Sequence, residues 1–239
     1  MGMAARTDTT MGGMIIWGMI IRQRGSEIMA TAATSQLILQ NWFSPAFPIG
    51  AFSYSGGLET TIALGDVHDR DSLADWLRTT LRHGTVFTDA VFLRAAFDGE
   101  EVNELCLALC AGAERHQETT ELGTAFTNIV RQAQAVDLPP GLAYPVAVGM
   151  AAARLGLLRE ATMAAFLQGA CMNQISVAVR AVPIGQVDGQ ACLVSLMPAI
   201  EQAVADAMVQ DVELVGSFAL AADLCALEHE TSEQRIYRT

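Results

Sequence analysis

From Ser35 onward, apolar residues return at helical intervals almost without interruption, and this narrows the possible folds more than any other feature. Within 69–83, Leu73, Trp76, Leu77 and Leu81 fall at i, i+3, i+4 and i+8, on one helical face. Acidic Asp69, Asp71 and Asp75 stand near the start of that segment, and Arg78, Arg82 and His83 near its end. Such an order suits the helix dipole, and the following Gly84 suits a C-terminal cap. Residues 87–97 are apolar on most sides, which predicts a central helix. Val102, Leu105, Cys106, Leu109 and Ala113 mark a further stripe, and Leu122, Ala125, Phe126, Ile129, Val130 and Ala133 the next. Pro139-Pro140-Gly141 ends that region, because proline lacks a donor and restricts its predecessor. Ala-rich helical stretches follow at about 143–156, 159–181, 195–209 and 212–228. Period-two alternation is confined to a short run at 175–182. The expectation is all-α: a single compact multi-helix domain of about eight to ten helices over 35–229.

Composition excludes several functions. The 239 residues carry a formal net charge of -12, which disfavours a nucleic-acid partner. All 14 basic residues are Arg. Without lysine there is neither a GK[ST] phosphate loop nor a Schiff-base amine. The 5 cysteines are odd in number and form no CxxC pair, so they read as buried thiols in a reducing compartment rather than a disulfide framework. No pair of His68, His83, His116 and His229 has the i, i+3 or i+4 spacing of a metal-binding helix face. Cys106 and Cys110 do, but Cys106 belongs to an apolar stripe. Glu118 and Glu121 lie about one helical turn apart, and general acid–base work would need them in a cleft. Ser53 and Ser55 lack the glycine and the preceding strand of a nucleophile elbow. No enzymatic activity, resident cofactor or metal ligand is expected.

Charged residues are 17% of the chain and apolar residues 51%, against roughly 25% charged in a typical domain. Either an Ala-rich interior absorbs the apolar surplus or another chain covers part of it. Residues 1–34 read as a flexible N-terminal extension. Its apolar stretch, 11–21, is shorter than the ~20 residues of a membrane span. It also lacks the basic lead-in of a secretory signal. Membrane-surface attachment through 14–21 is disfavoured by the few basic residues there.

Three stretches carry a family likeness. Residues 44–59 read SPAFPIGAFSYSGGLE, 178–190 read AVRAVPIGQVDGQ, and 234–239 read QRIYRT; ETTELGTAF at 118–126 fits more loosely. The chain from about Leu37 onward resembles the urease accessory protein UreF family. The resemblance implies an all-α, non-enzymatic cytoplasmic protein that works as a dimer in a nickel-insertion complex for urease. In that complex it would bridge the UreD/UreH scaffold protein and the UreG GTPase on apo-urease, with nickel and GTP handled by those partners.

The same likeness marks a partner interface. Pro48, Gly50, Phe52, Ser53, Tyr54, Gly57 and Glu59 come from the first motif, Arg180 from the second, and Arg235, Tyr237 and Arg238 from the last. Pro48 stiffens the loop, the glycines permit close approach, and Phe52 and Tyr54 are aromatic anchors. Arg180 is a fork for a carboxylate or for helix-end carbonyls. The polar segment 230–239 is expected to be loose alone and to order on contact. The competing reading is a helical enzyme or a binder of an apolar small ligand between helices.

Overall fold

A computed structural model describes residues 31–239, and in it the periodicity resolves into ten α-helices, with no strand among the described residues. In chain order these are α1 (Ala32–Trp42), α2 (Leu58–Leu64), α3 (Arg70–His83), α4 (Thr85–Phe97), α5 (Asn103–Ala108), α6 (Ala113–Gln134), α7 (Tyr144–Arg154), α8 (Arg159–Ala181), α9 (Gln186–Val209) and α10 (Leu220–His229). Single 3₁₀ turns occupy Ala51–Ser53 and Val212–Leu214. The all-α architecture expected from the sequence is the one found. The readings made for the apolar stretch at 11–21 lie outside the described residues.

The helix most apolar on all sides lies at the centre. Ala90, Val91, Phe92, Leu93, Ala95 and Ala96 of α4 are all buried, and α4 packs against α3, α7, α8 and α9. α3 is amphipathic as its spacing demands, burying Leu73, Leu77 and Leu81. Asp69 caps its N-terminus by accepting from the Ser72 N–H at 2.9 Å, and Ser72 Oγ accepts from the Asp69 N–H in return. Gly84 does not form the left-handed cap that its position suggested. It is extended, and it links α3 directly to α4 with its N–H donating to the Thr80 carbonyl at 3.0 Å.

Other departures have local causes. The stripe beginning at Val102 shortens to the six residues of α5, because the chain turns between Leu109 and Gly112 to launch α6. The run at 175–182 is the end of α8, its β-branched residues held helical by burial of Ile175 and Val177. α9 begins at Gln186, nine residues before the alanine-rich stretch, and continues through Pro198. α1 starts at Ala32, capped by the Thr31 hydroxyl, so 32–34 are already helical.

Aromatic rings fasten the segment that leads into the first motif. Trp42 meets Phe126 edge-on at 5.0 Å, Phe47 lies 5.8 Å from Phe126, and Phe43 lies 6.0 Å from Phe166. The Trp42 indole N–H donates to Gln134 at 3.1 Å. These contacts join α1 and the loop after it to α6 and α8. Below the loop, Trp76 of α3 donates to Gln174 of α8 at 2.9 Å.

Candidate functional site

The two ends of the family likeness meet in space. Residues 50–57 form a loop with left-handed glycines at Gly50, Gly56 and Gly57, and the C-terminal segment lies across it. Gly57 is needed twice. Its φ is +81°, and a Cβ there would stand 2.9 Å from the Ala226 nitrogen of α10. A side chain would therefore strain the backbone and push α10 away from α2, its packing partner.

The segment is held at both of its ends. The Arg238 N–H donates to the Ser53 carbonyl at 2.8 Å, and the Ser55 N–H donates to a Thr239 oxygen at 3.1 Å. That same oxygen accepts from the Ser55 hydroxyl, and the Gly56 N–H donates to the Thr239 hydroxyl at 3.0 Å. Nearer α10, one carboxylate closes the contact. Glu59 accepts from the Ile236 N–H at 2.8 Å and from the Tyr237 N–H at 2.9 Å. Tyr237 and Thr239 are only 7% and 3% exposed as a result. Composition alone suggested a loose tail, whereas three carboxylates of the folded body give this tail fixed partners.

Those partners are Glu59 of α2 and Glu114 and Glu121 of α6. Arg235 pairs with Glu114 at 2.6 Å, and Arg238 forks onto both oxygens of Glu121 at 2.7 and 2.9 Å. Tyr54 donates its hydroxyl to the same Glu121 at 2.6 Å, beneath the Arg238 guanidinium, which stacks 5.2 Å from the ring centroid. Hydrogen bonds from Arg238, Tyr54 and Gln117 hold the Glu121 carboxyl far down, at about 2. Burial, reinforced by Glu121, pushes the Tyr54 phenol well above its ordinary range. The Tyr54 carbonyl in turn accepts from Asn173 of α8 at 3.0 Å.

The eleven marked residues thus divide by what they touch. Tyr54, Gly57 and Tyr237 are buried and build the contact between loop and tail. Glu59, although half-buried, is its central acceptor, and Ser53 supplies one backbone carbonyl. Gly50 takes its left-handed turn in open space. Pro48, Phe52, Arg180, Arg235 and Arg238 are exposed. Phe52 is 63% exposed at the loop tip. Arg180 stands at the end of α8 with no carboxylate or helix-end carbonyl partner among the described residues, so the fork expected there is unfilled. The second motif serves packing through Gly189, where a Cβ would meet Val179 at 3.0 Å and Ile175 at 3.1 Å as α9 crosses α8.

Phe52 and Arg180 flank a groove of about 400 Å³ beneath the loop, walled by Phe43, Phe47 and Phe166. Arg115 lies on its floor between Asp89 at 2.5 Å and Glu118 at 3.3 Å. Burial pushes both carboxyls up, against the pull of Arg115. Nothing here resembles a nucleophile with a base. Among the described residues no group of three His, Cys, Asp or Glu side chains is placed to hold a metal. Cys106, Cys171, Cys192 and Cys225 are buried thiols and Cys110 is half-buried. Burial pushes the Cys171 thiol up to about 12.

Sequence reasoning passed over Glu114, Glu121 and His229 as site residues. The spacing of Glu114, Glu118 and Glu121, at i, i+4 and i+7, placed three carboxylates on one face of α6. Arg235 and Arg238, three apart, were the matching cations. His229 gave no such signal: its role depends on two helices distant in sequence.

Comparison with known proteins returns the family that the three motif stretches suggested. A family profile described as UreF matches residues 67–197. A protein of Rhodopseudomonas palustris (strain BisB5) named urease accessory protein UreF is 44% identical over 231 residues, covering 90% of this chain and 95% of its own length. Its namesake in Cereibacter sphaeroides (strain KD131) is 45% identical over 206 residues, covering 85% and 98%. The Bradyrhizobium diazoefficiens protein of that name is 40% identical over 230 residues, covering 89% and 95%. A match of this length and identity shows that the protein belongs to the UreF family of urease accessory proteins.

Proposed function

We propose that this chain assists assembly of the urease nickel centre as a cytoplasmic adaptor, bridging the UreD/UreH scaffold and the UreG GTPase on apo-urease. Its contact surface is the composite of loop, α8 terminus and C-terminal segment. The observation that carries this reading is the docking of the tail motif on the loop motif, beside a groove that Phe52 of the loop and Arg180 of the second motif both line. Phe52 and Arg180 are large, exposed side chains, and Arg180 has no carboxylate partner among the described residues; such side chains are the kind that anchors interfaces. Tyr54, Glu59 and Tyr237 lie beneath and fix the rim's shape. A dimer is the proposed working state, consistent with the apolar surplus of the chain.

The test is co-purification. The chain with F52A and R180A together keeps its helical content and loses capture of purified UreD/UreH, of UreG, or of both, by tenfold or more in affinity, as expected for anchor residues. Wild-type capture of both partners by this folded variant would reject the surface.

A further inference from the structure

His229 is the last residue of α10, and it is 1% exposed. Its Nδ1 lies 2.7 Å from Glu114 Oε2 and its Nε2 lies 3.2 Å from Glu59 Oε2. Both ring nitrogens therefore face carboxylate oxygens, which only accept. A neutral imidazole has one donor and would turn a lone pair toward one of the carboxylates. The doubly protonated ring donates to both. These two are also among the three carboxylates that hold the C-terminal segment. Glu59 takes the Ile236 and Tyr237 amides, and Glu114 takes Arg235 at 2.6 Å.

The charged groups around the ring come from every element packed on it: Glu59 from α2, Glu114 from α6, Arg235 from the C-terminal segment, and Glu230 beside it, which accepts from the Glu114 N–H at 3.0 Å. With the ring cationic, two of these three carboxylates are balanced. With the ring neutral, only Arg235 opposes them, and unpaired buried charge is costly.

We propose that His229 is a positioning residue that holds the C-terminal segment on the signature loop while its ring is protonated at both nitrogens and loosens it when the ring is neutral. Docking is therefore stronger with the ring cationic than with it neutral, provided Glu59 and Glu114 stay ionised. The consequence for partner capture rests on the reading of this segment as part of the contact surface.

Amide hydrogen exchange of the full chain tests it, read at Ile236 and Tyr237 and expressed as protection factors to remove the intrinsic pH dependence. Wild-type protection falls roughly tenfold or more between about pH 6 and about pH 8.5, which bracket histidine titration. In H229Q the side chain offers one donor group and one acceptor, like the neutral ring. Its protection is already low at the lower pH and changes little at the higher. Equal wild-type protection at both pH values, or a wild-type pH response in H229Q, overturns the proposal. Should H229Q lose its helical circular dichroism, the wild-type comparison decides alone. Lost protection in a folded H229Q with undiminished capture of UreD/UreH supports the positioning role and rejects the segment as a contact surface.

Discussion

Tyr54 and Arg180 show how two motif residues of one family can do opposite work. Tyr54 is buried, and its hydroxyl is bonded to Glu121. Y54F removes that bond and leaves Glu121 one donor short. It is expected to cost about 1–2 kcal/mol, a fall of a few degrees in melting temperature for a chain of this length. Arg180 is exposed and has no carboxylate partner among the described residues. R180A is expected to change folding stability by no more than about 0.5 kcal/mol while weakening partner capture, so thermal melting and pull-down should separate the two variants. The Glu121 carboxyl offers a titration. Its value falls from 4.5 to about 2 in the folded chain, so the stabilisation is present above pH 4.5 and is lost as pH falls toward about 2. Sign follows from linkage: the unfolded state binds the proton more readily there. Acidification through that window is expected to free Arg238 before α3, α4 and α7 melt, and the amide of Arg238 in proton-exchange spectra would report it.

At the scale of elements, the sequence exposed what is periodic and hid what is assembled. α3 could be read almost to the residue, because its stripe, its cap at Asp69 and its charge order all agree. The centrality of α4 was equally visible, since a helix apolar all round has to be inside. α5 was over-read: the apolar stripe runs on through Leu109, yet Leu105 and Leu109 are exposed. Periodicity does not register a chain reversal made by Ala111-Gly112. The start of α9 was missed because Gln186, Asp188 and Gln190 are polar, although they form an ordinary solvated first turn. Tertiary contacts between segments 115 to 185 residues apart leave no local pattern, which is why the docking of the tail escaped. α10 depends on one such contact. G57A forces a left-handed residue to carry a Cβ, at a cost of roughly 1–2 kcal/mol, and drives that Cβ against the Ala226 nitrogen. Its expected result is reduced exchange protection across α10 and the C-terminal segment, with α4 and α7 unaffected.

Over the whole molecule, a net charge of -12 and an apolar fraction of 51% are reconciled by an interior built largely from alanine, leucine and valine. Part of the surplus remains outside: Phe52, Val187, Val194, Phe218, Leu220 and Leu224 are each more than half exposed. A rigid helical body that displays apolar and arginine anchors, and in which no catalytic constellation is assembled among the described residues, is suited to being held between other proteins. The most direct test is urease activity in cells that lack this chain and are supplied either with the wild-type protein or with F52A and R180A combined. Wild type is expected to restore nickel-dependent activity, and the double variant, folded and present at equal level, to restore little of it. Full activation by the double variant, or normal urease activity with no copy of the chain, would contradict the account.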